Sequence, residues 1–167
     1  MPTSQLSLED ITIRTFLKSG DLGYLTYLHG ILYQQEYGYT MAFESYVAAG
    51  LNEFYQQYTD ARNRVWVAEH NGKMVGFLLT MDRGEWAQLR YFLITPGYRG
   101  LGLGKKLLRQ SIEFLVEVGY SKTYLWTTHE QTQAAQLYRN VGFVLSEEKE
   151  SDAFGKPLRE QRYDLLL

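Results

Sequence analysis

The sequence predicts a mixed α/β domain: a mostly antiparallel sheet of about seven strands, about four helices and a single parallel pair of strands. Three observations carry this. Residues 64–69 and 74–79 are β-rich segments separated by Asn71-Gly72, the pair that favours the type I′ turn of a hairpin. Trp86–Ile94 runs into a glycine-rich loop and a helix before a second strand, Lys122–Thr128, and a strand–helix–strand connection implies parallel neighbours. No linker, internal repeat or low-complexity run interrupts the chain, so residues 1–167 read as one domain with enough length to bury a core.

Residues 11–14 alternate and predict a first strand. Gly20-Asp21 offers a cap for a helix over 22–37, where Leu25, Leu28 and Leu32 make the buried stripe. His29, Tyr33 and Glu36 lie on the adjoining flank of that helix, within about 100° of the stripe, at a rim position suited to a site. Gly38-Tyr39-Thr40 breaks the chain, and Thr40 caps a second helix running to about Tyr58. The hairpin, the strand Trp86–Ile94 and the loop follow. After the loop, Leu108, Ile112, Leu115 and Val116 share one helical face, and Gly119 suits the residue just past the helix end. Lys122–Thr128 is rich in β-branched and aromatic residues. Ala134, Ala135, Leu137, Tyr138 and Val141 mark a short helix ending at Gly142, and residues 143–149 and 159–167 read as two closing strands.

Composition excludes several classes. With 45% hydrophobic and 22% charged residues the chain falls among soluble globular proteins. It has no run approaching the roughly 20 apolar residues of a membrane span. Residues 1–9 lack both the basic start and the apolar stretch of a signal peptide, which predicts a cytoplasmic location. The absence of cysteine excludes disulfides, thiolate metal sites and a cysteine nucleophile, and no metal is expected. A net charge of −2 argues against a general nucleic-acid binder. Residues 1–60 carry seven acids against two bases, and the remainder fifteen bases against twelve acids. That asymmetry suits a cationic acceptor and an anionic donor, or is scattered solvated charge. Fourteen tyrosines, concentrated between Tyr24 and Tyr58, either wall a pocket or pack with their hydroxyls at the core edge.

Arg99-Gly100-Leu101-Gly102-Leu103-Gly104 is the stretch that points to chemistry. Glycines let the backbone approach a ligand closely, and the free N–H groups and positive end of the helix starting near Leu103 converge on the same place. Arg99, Lys105, Lys106 and Arg109 add cations with no acid between residues 99 and 112, so a phosphate group is the natural guest. A P-loop would need glycine where Arg99 stands and Ser or Thr where Lys106 stands. A dinucleotide fingerprint would need G-x-G-x-x-G and an acid ending the next strand, whereas the spacing here is G-x-G-x-G and Glu117 falls inside the helix.

Arg99-x-x-Gly102-x-Gly104, together with Ala134-x-x-x-Tyr138-x-x-x-Gly142-Phe143, resembles the GNAT N-acetyltransferases over nearly the whole chain. Leu89–Leu93, Leu125-Trp126-Thr127, Glu147-Glu148-Lys149, Gln161–Leu165, Leu28-His29-Gly30, Tyr33 and Glu36-Tyr37-Gly38 are similar to the acetyltransferase half of MarR–GNAT fusion proteins, without their DNA-binding half. The resemblance implies acetyl-coenzyme A as co-substrate. The backbone of Leu93 and Ile94 would hold the thioester and pantetheine, and Arg99, Gly100, Leu101, Gly102, Leu103, Gly104 and Lys105 the pyrophosphate. Gln131 stands where the family usually has asparagine, as a further donor contact. Tyr138 falls where a phenol commonly protonates the departing thiolate, a task for which an ordinary pKa of about 10 suits it.

Strand Trp86–Ile94 has no carboxylate, where many relatives place the base that deprotonates the amine. Glu36 is the substitute candidate, or a helix-surface charge. His29, Tyr33 and Glu69 join it as acceptor-site candidates, with packing for His29 and cross-strand pairing for Glu69 as the alternatives. Trp126 suits the core better than a substrate platform. The resulting expectation is an N-acetyltransferase acting by direct attack of a small or amino-acid-like primary amine, with no nucleic-acid or membrane partner of its own and a homodimer left open. The alternative is a non-catalytic acyl-coenzyme A-binding sensor or scaffold module.

Overall fold

A computed structural model describes residues 5–167; the first four residues of the segment read for a signal peptide lie outside the described residues. The seven strands are β1 (Thr12–Arg14), β2 (Arg64–His70), β3 (Lys73–Arg83), β4 (Trp86–Ile94), β5 (Lys122–Thr128), β6 (Val144–Ser151) and β7 (Leu158–Leu166). The four helices are α1 (Asp21–Tyr37), α2 (Met41–Gln57), α3 (Leu103–Glu117) and α4 (Thr132–Val141). The strands form one sheet in the order β1-β2-β3-β4-β5-β7-β6, antiparallel throughout except for β4 and β5. Among the described residues no helix is long and apolar enough to cross a membrane.

Local chemistry accounts for most boundaries. Asn71 and Gly72 take φ of 51° and 73°, the left-handed pair a type I′ hairpin needs. Thr40 Oγ1 accepts from the Ala42 N–H at 3.3 Å and caps α2. On α1 the predicted stripe holds for Leu25 and Leu28, but the buried face turns further, and His29 lies inside it rather than at the rim. On α3 the predicted stripe holds at Leu108 and Leu115, both fully buried, but the buried face extends to Leu103, Leu107, Ser111 and Phe114 on the other side and leaves Val116 exposed.

Period-two alternation in the central strands separates two cores. Trp66, Ala68 and Leu78 face α3 and α4, whereas Val65, Val67, Phe77 and Leu79 face α1 and α2; Val75 joins the first group out of phase, at the β2–β3 register shift beside Ala68. The sheet opens at β4. Leu79 pairs with Arg90 and Phe77 with Leu93, so Tyr91 and Phe92 together oppose Leu78 in a β-bulge. Tyr91 takes φ of 57°, a left-handed conformation that costs a non-glycine residue about 1–2 kcal/mol. Its buried ring, edge-on to His29 at 5.7 Å, holds it there. The parallel pairing of β4 with β5 runs from Ala87 and Thr123 only to Leu89 and Leu125. Beyond the bulge the two strands part, and the cleft between them is where the site forms.

Candidate active site

The loop after β4 is built to receive an anion. Pro96–Tyr98 makes one 3-10 turn, Gly100 and Gly102 take φ of 79° and 87°, and α3 begins at Leu103. Gly102 brings no capping side chain, and the first helical bond runs from the Lys106 N–H to the Gly102 carbonyl at 3.0 Å. The N–H groups of Leu103, Gly104 and Lys105 therefore have no partner within the helix. A Cβ on Gly104 would stand 3.2 Å from Phe92 Cζ and 3.4 Å from Leu137 Cδ2, so glycine keeps the floor open.

A groove of about 330 Å³ runs from this loop between α1 and the start of α4. Gly100, Gly102, Leu103, Gly104, Lys105, Arg99, Leu93, Ile94 and Gln131 all line it. Leu101 does not: its side chain packs into the core under α3 and α4. Arg99 crosses the groove, with Nε donating to the Ile94 carbonyl at 2.9 Å and Nη2 paired with Glu36 at 2.7 Å. The Thr95 N–H donates to Val75 O at 2.9 Å. By the alternation of an antiparallel ladder, the backbone polar groups of Leu93 then also face β3, and those of Ile94 face the cleft. Of the two residues expected to act through their backbone, Ile94 turns its polar groups to the cleft and Leu93 turns them to β3; Phe92, two residues before Ile94, shares the cleft-facing parity.

A second cavity of about 100 Å³ lies deeper in the cleft, on the α2 side, and includes His29, Tyr138, Arg90, Thr127, Trp126 and Glu160. Tyr33, Phe92 and Gln131 line both cavities and so mark their junction. Tyr33 stacks on His29 at 5.4 Å and on Phe43 at 4.7 Å, and its hydroxyl donates to Gln131 Oε1 at 3.4 Å. Gln131 in turn donates to Thr128 Oγ1 at 3.2 Å. Tyr138 is buried beside Phe92, Phe143 and Tyr163. Burial, and secondarily the nearby Tyr37, push its phenol well above the ordinary tyrosine value, and burial does the same to Tyr33. His29 is held neutral: burial pushes its imidazole down to about 4, while Nδ1 sits 2.9 Å from the Leu25 carbonyl.

The structure therefore brings His29, Tyr33, Gln131 and Tyr138 to one place. Glu36 lines the outer groove, engaged with Arg99. Glu69 is elsewhere, paired with Arg14 at 2.8 Å at the β1–β2 edge, in a network with Asp21. Trp126 is half-buried in the cavity wall with Lys149 Nζ 4.6 Å from its ring centroid, so it is not a plain core residue. Arg90 and Glu160 were not singled out by sequence reasoning. Arg90 carries one signal, being the only charged residue of β4. Glu160 carries none, because only the register that sets it opposite Thr128 brings it in.

The model of the acetyltransferase (GNAT) family matches residues 28–143. The chain belongs to that family. Within it, this acetyltransferase is 36% identical over 114 residues to YjgM, an uncharacterized N-acetyltransferase of Escherichia coli K12, covering 65% of this chain and 68% of that one. It spans less than half the length of some other curated relatives, among them a rat N-acetyltransferase family 8 member. An acetyltransferase from Streptococcus agalactiae superposes with a TM-score of 0.75 at 22% identity, covering 95% of this chain and 99% of the other. YncA from Salmonella typhimurium, solved with acetyl-coenzyme A, gives 0.70 at 20% identity, over 95% and 94% of the two chains. These two likenesses concern the fold, and the seven-stranded sheet with one parallel pair is the GNAT architecture.

Proposed function

We propose that this acetyltransferase transfers an acetyl group from acetyl-coenzyme A to the primary amine of a small, amino-acid-like acceptor by direct attack. The observation that carries the reading is the junction: a phosphate-ready groove and a deeper polar cavity share Tyr33, Phe92 and Gln131, with the protonated phenol of Tyr138 in the wall of the inner one. The residues fit the donor. Open N–H groups at the start of α3, Arg99 and Lys105 suit a pyrophosphate, and the outward-facing backbone of Ile94 and Phe92 suits the amides of a pantetheine arm.

Bound there, acetyl-coenzyme A supplies an activated acyl thioester. The neutral amine attacks its carbonyl carbon, the C–N bond forms and the C–S bond breaks; the proton shed by the nitrogen leaves through water towards Glu160, the carboxylate lining the inner cavity, and Tyr138 gives a proton to sulfur and is reprotonated from that water. A cleft-facing N–H of β4 stabilises charge on the acyl oxygen. Without cysteine the chain forms no thiol-bound acyl intermediate. The same reading keeps a cytoplasmic location, no nucleic-acid or membrane partner, and the likeness to the acetyltransferase half of MarR–GNAT fusions.

Calorimetric titration with acetyl-coenzyme A, with NAD as the control ligand, tests the donor site. Saturable binding of the thioester alone, followed by amine-dependent thiol release, is the expected result. A folded protein that binds neither ligand defeats the reading.

A further inference from the structure

Arg90 is a cation in the inner cavity with no carboxylate within 4.0 Å among the described residues. It stands at the apex of the cleft, the first β4 residue past the last β4–β5 pair. Its register with Leu79 puts it on the α2 side of the sheet. The guanidinium lies 4.7 Å from the Tyr91 ring centroid, Nη2 donates to the Tyr46 hydroxyl at 3.3 Å, and Nη1 makes a weak contact to Met81 Sδ at 3.8 Å. Gly50 of α2 leaves it room: a Cβ there would stand 2.7 Å from Arg90 Nη2. A guanidinium has five N–H donors in a rigid fork, so most remain for a ligand, and a carboxylate is the group the fork matches. Two further buried hydroxyls of residues lining the same cavity, those of Tyr91 and Thr127, have no hydrogen-bond partner among the described residues.

The opposite charge in the lining is Glu160, one of whose carboxylate oxygens, Oε2, lies 4.0 Å from the half-exposed Lys149 Nζ, a long pair that leaves the carboxylate open to a second cation. Glu160 pairs in register with Thr128, three residues or about 10 Å farther along β5 than the Leu125 pair, towards the junction at Gln131. Resting on the acetyl-transfer reading above, we propose that Arg90 binds a carboxylate of the acceptor. The substrate is then an amino acid, or a small molecule ending in one, held with its ammonium towards Glu160 and the junction. A simple amine leaves Arg90 unpaired, and a polyamine meets it with like charge.

The test uses amino acids, each beside its amide and its decarboxylated amine, with a few dipeptides to separate free amino acids from peptide C-termini. Each is measured by thiol release and by titration against the coenzyme A-loaded protein. The expected result is a preference for acid over amide of about 10- to 100-fold, the worth of a charge-assisted pair. In Arg90→Gln that preference collapses through a raised KM, and in Arg90→Lys part of it returns. Acetyl-coenzyme A affinity is the control for folding in both. Amides or amines used as well as the acids, acids that neither bind nor react in a protein that binds coenzyme A, or an unchanged preference in Arg90→Gln each overturn the assignment. Loss of acetyl-coenzyme A binding in the parent protein instead strikes the donor reading.

Discussion

Arg99 Nη2 and Glu36 Oε1 form an ion pair of 2.7 Å across the groove, tying the glycine loop to the end of α1. Both side chains are partly exposed, so the pair is worth at most about 1 kcal/mol. A pyrophosphate arriving at the loop competes with Glu36 for the same guanidinium. Glu36→Gln is expected to tighten acetyl-coenzyme A binding by up to about fivefold at low salt, with the gain fading as salt rises. The pH profile of turnover stays where it was. A fall in kcat of about 10²-fold or more would instead make Glu36 the base. On the present reading that proton goes to the inner cavity, where Glu160 is the lining carboxylate.

Tyr138 lines the inner cavity together with Tyr33, Tyr46 and Tyr91, and is the tyrosine proposed above to give a proton to sulfur. Tyr138→Phe removes the proton donor and keeps the ring, so kcat should fall by about 10²- to 10⁴-fold while acetyl-coenzyme A affinity holds. Burial raises the phenol, which means it stays protonated to higher pH than an ordinary tyrosine. The alkaline limb of the parent profile therefore should not fall through about pH 10 on account of this group. Turnover by Tyr138→Phe equal to that of the parent at every pH removes the acid role.

His29 adds an acid-side signature. Burial lowers its imidazole from 6.5 to about 4. Between those values the unfolded chain takes up a proton that the folded protein refuses. Stability therefore falls as pH drops through that window, by up to about 1.4 kcal/mol per unit and on the order of 3 kcal/mol in all. Above pH 6.5 the residue contributes no slope. Urea denaturation of His29→Gln should show lower stability at neutral pH, from lost packing against Tyr33 and Tyr91, and a flatter curve between pH 6.5 and 4.5. Equal slopes in both proteins would place the acid sensitivity elsewhere.

What could be read from the sequence is what depends on neighbours in the chain. Asn71-Gly72, Thr40 and the glycines at 100 and 102 announce their turns and caps because each conformation is a property of those residues. The bulge at Tyr91 has no such signal: nothing about a tyrosine predicts a φ of 57°, and the strain is held by the contacts of its ring with His29 and Arg90. Helical period alone puts His29 at a rim. It is interior because Phe43 of α2 and Tyr91 of β4 close over it, and neither is visible from α1. Glu36, on the same flank, lines the outer groove beside the glycine loop and not the inner cavity, and periodicity could not foresee that Arg99 occupies its carboxylate.

Gly50 links the bulge to the helix above it. Alanine there gains about 1 kcal/mol of helix propensity, but its Cβ would overlap the Tyr91 hydroxyl and stand 3.2 Å from Arg90 Cζ. The arginine can swing away, whereas the tyrosine is fixed by the strained backbone beneath it, and such overpacking costs about 1–3 kcal/mol. Gly50→Ala is therefore expected to lower stability by about 0–2 kcal/mol, the difference of those two effects. Its larger consequence is kinetic: displacement of Arg90 and Tyr91 lowers kcat/KM for the acceptor by about tenfold, while the donor groove on the other side of Phe92 keeps its acetyl-coenzyme A affinity. Denaturation, donor titration and acceptor kinetics on the one variant decide it. Acceptor kinetics matching the parent would mean that neither residue contacts the substrate, and a parallel loss of donor affinity would mean that the bulge supports both cavities together.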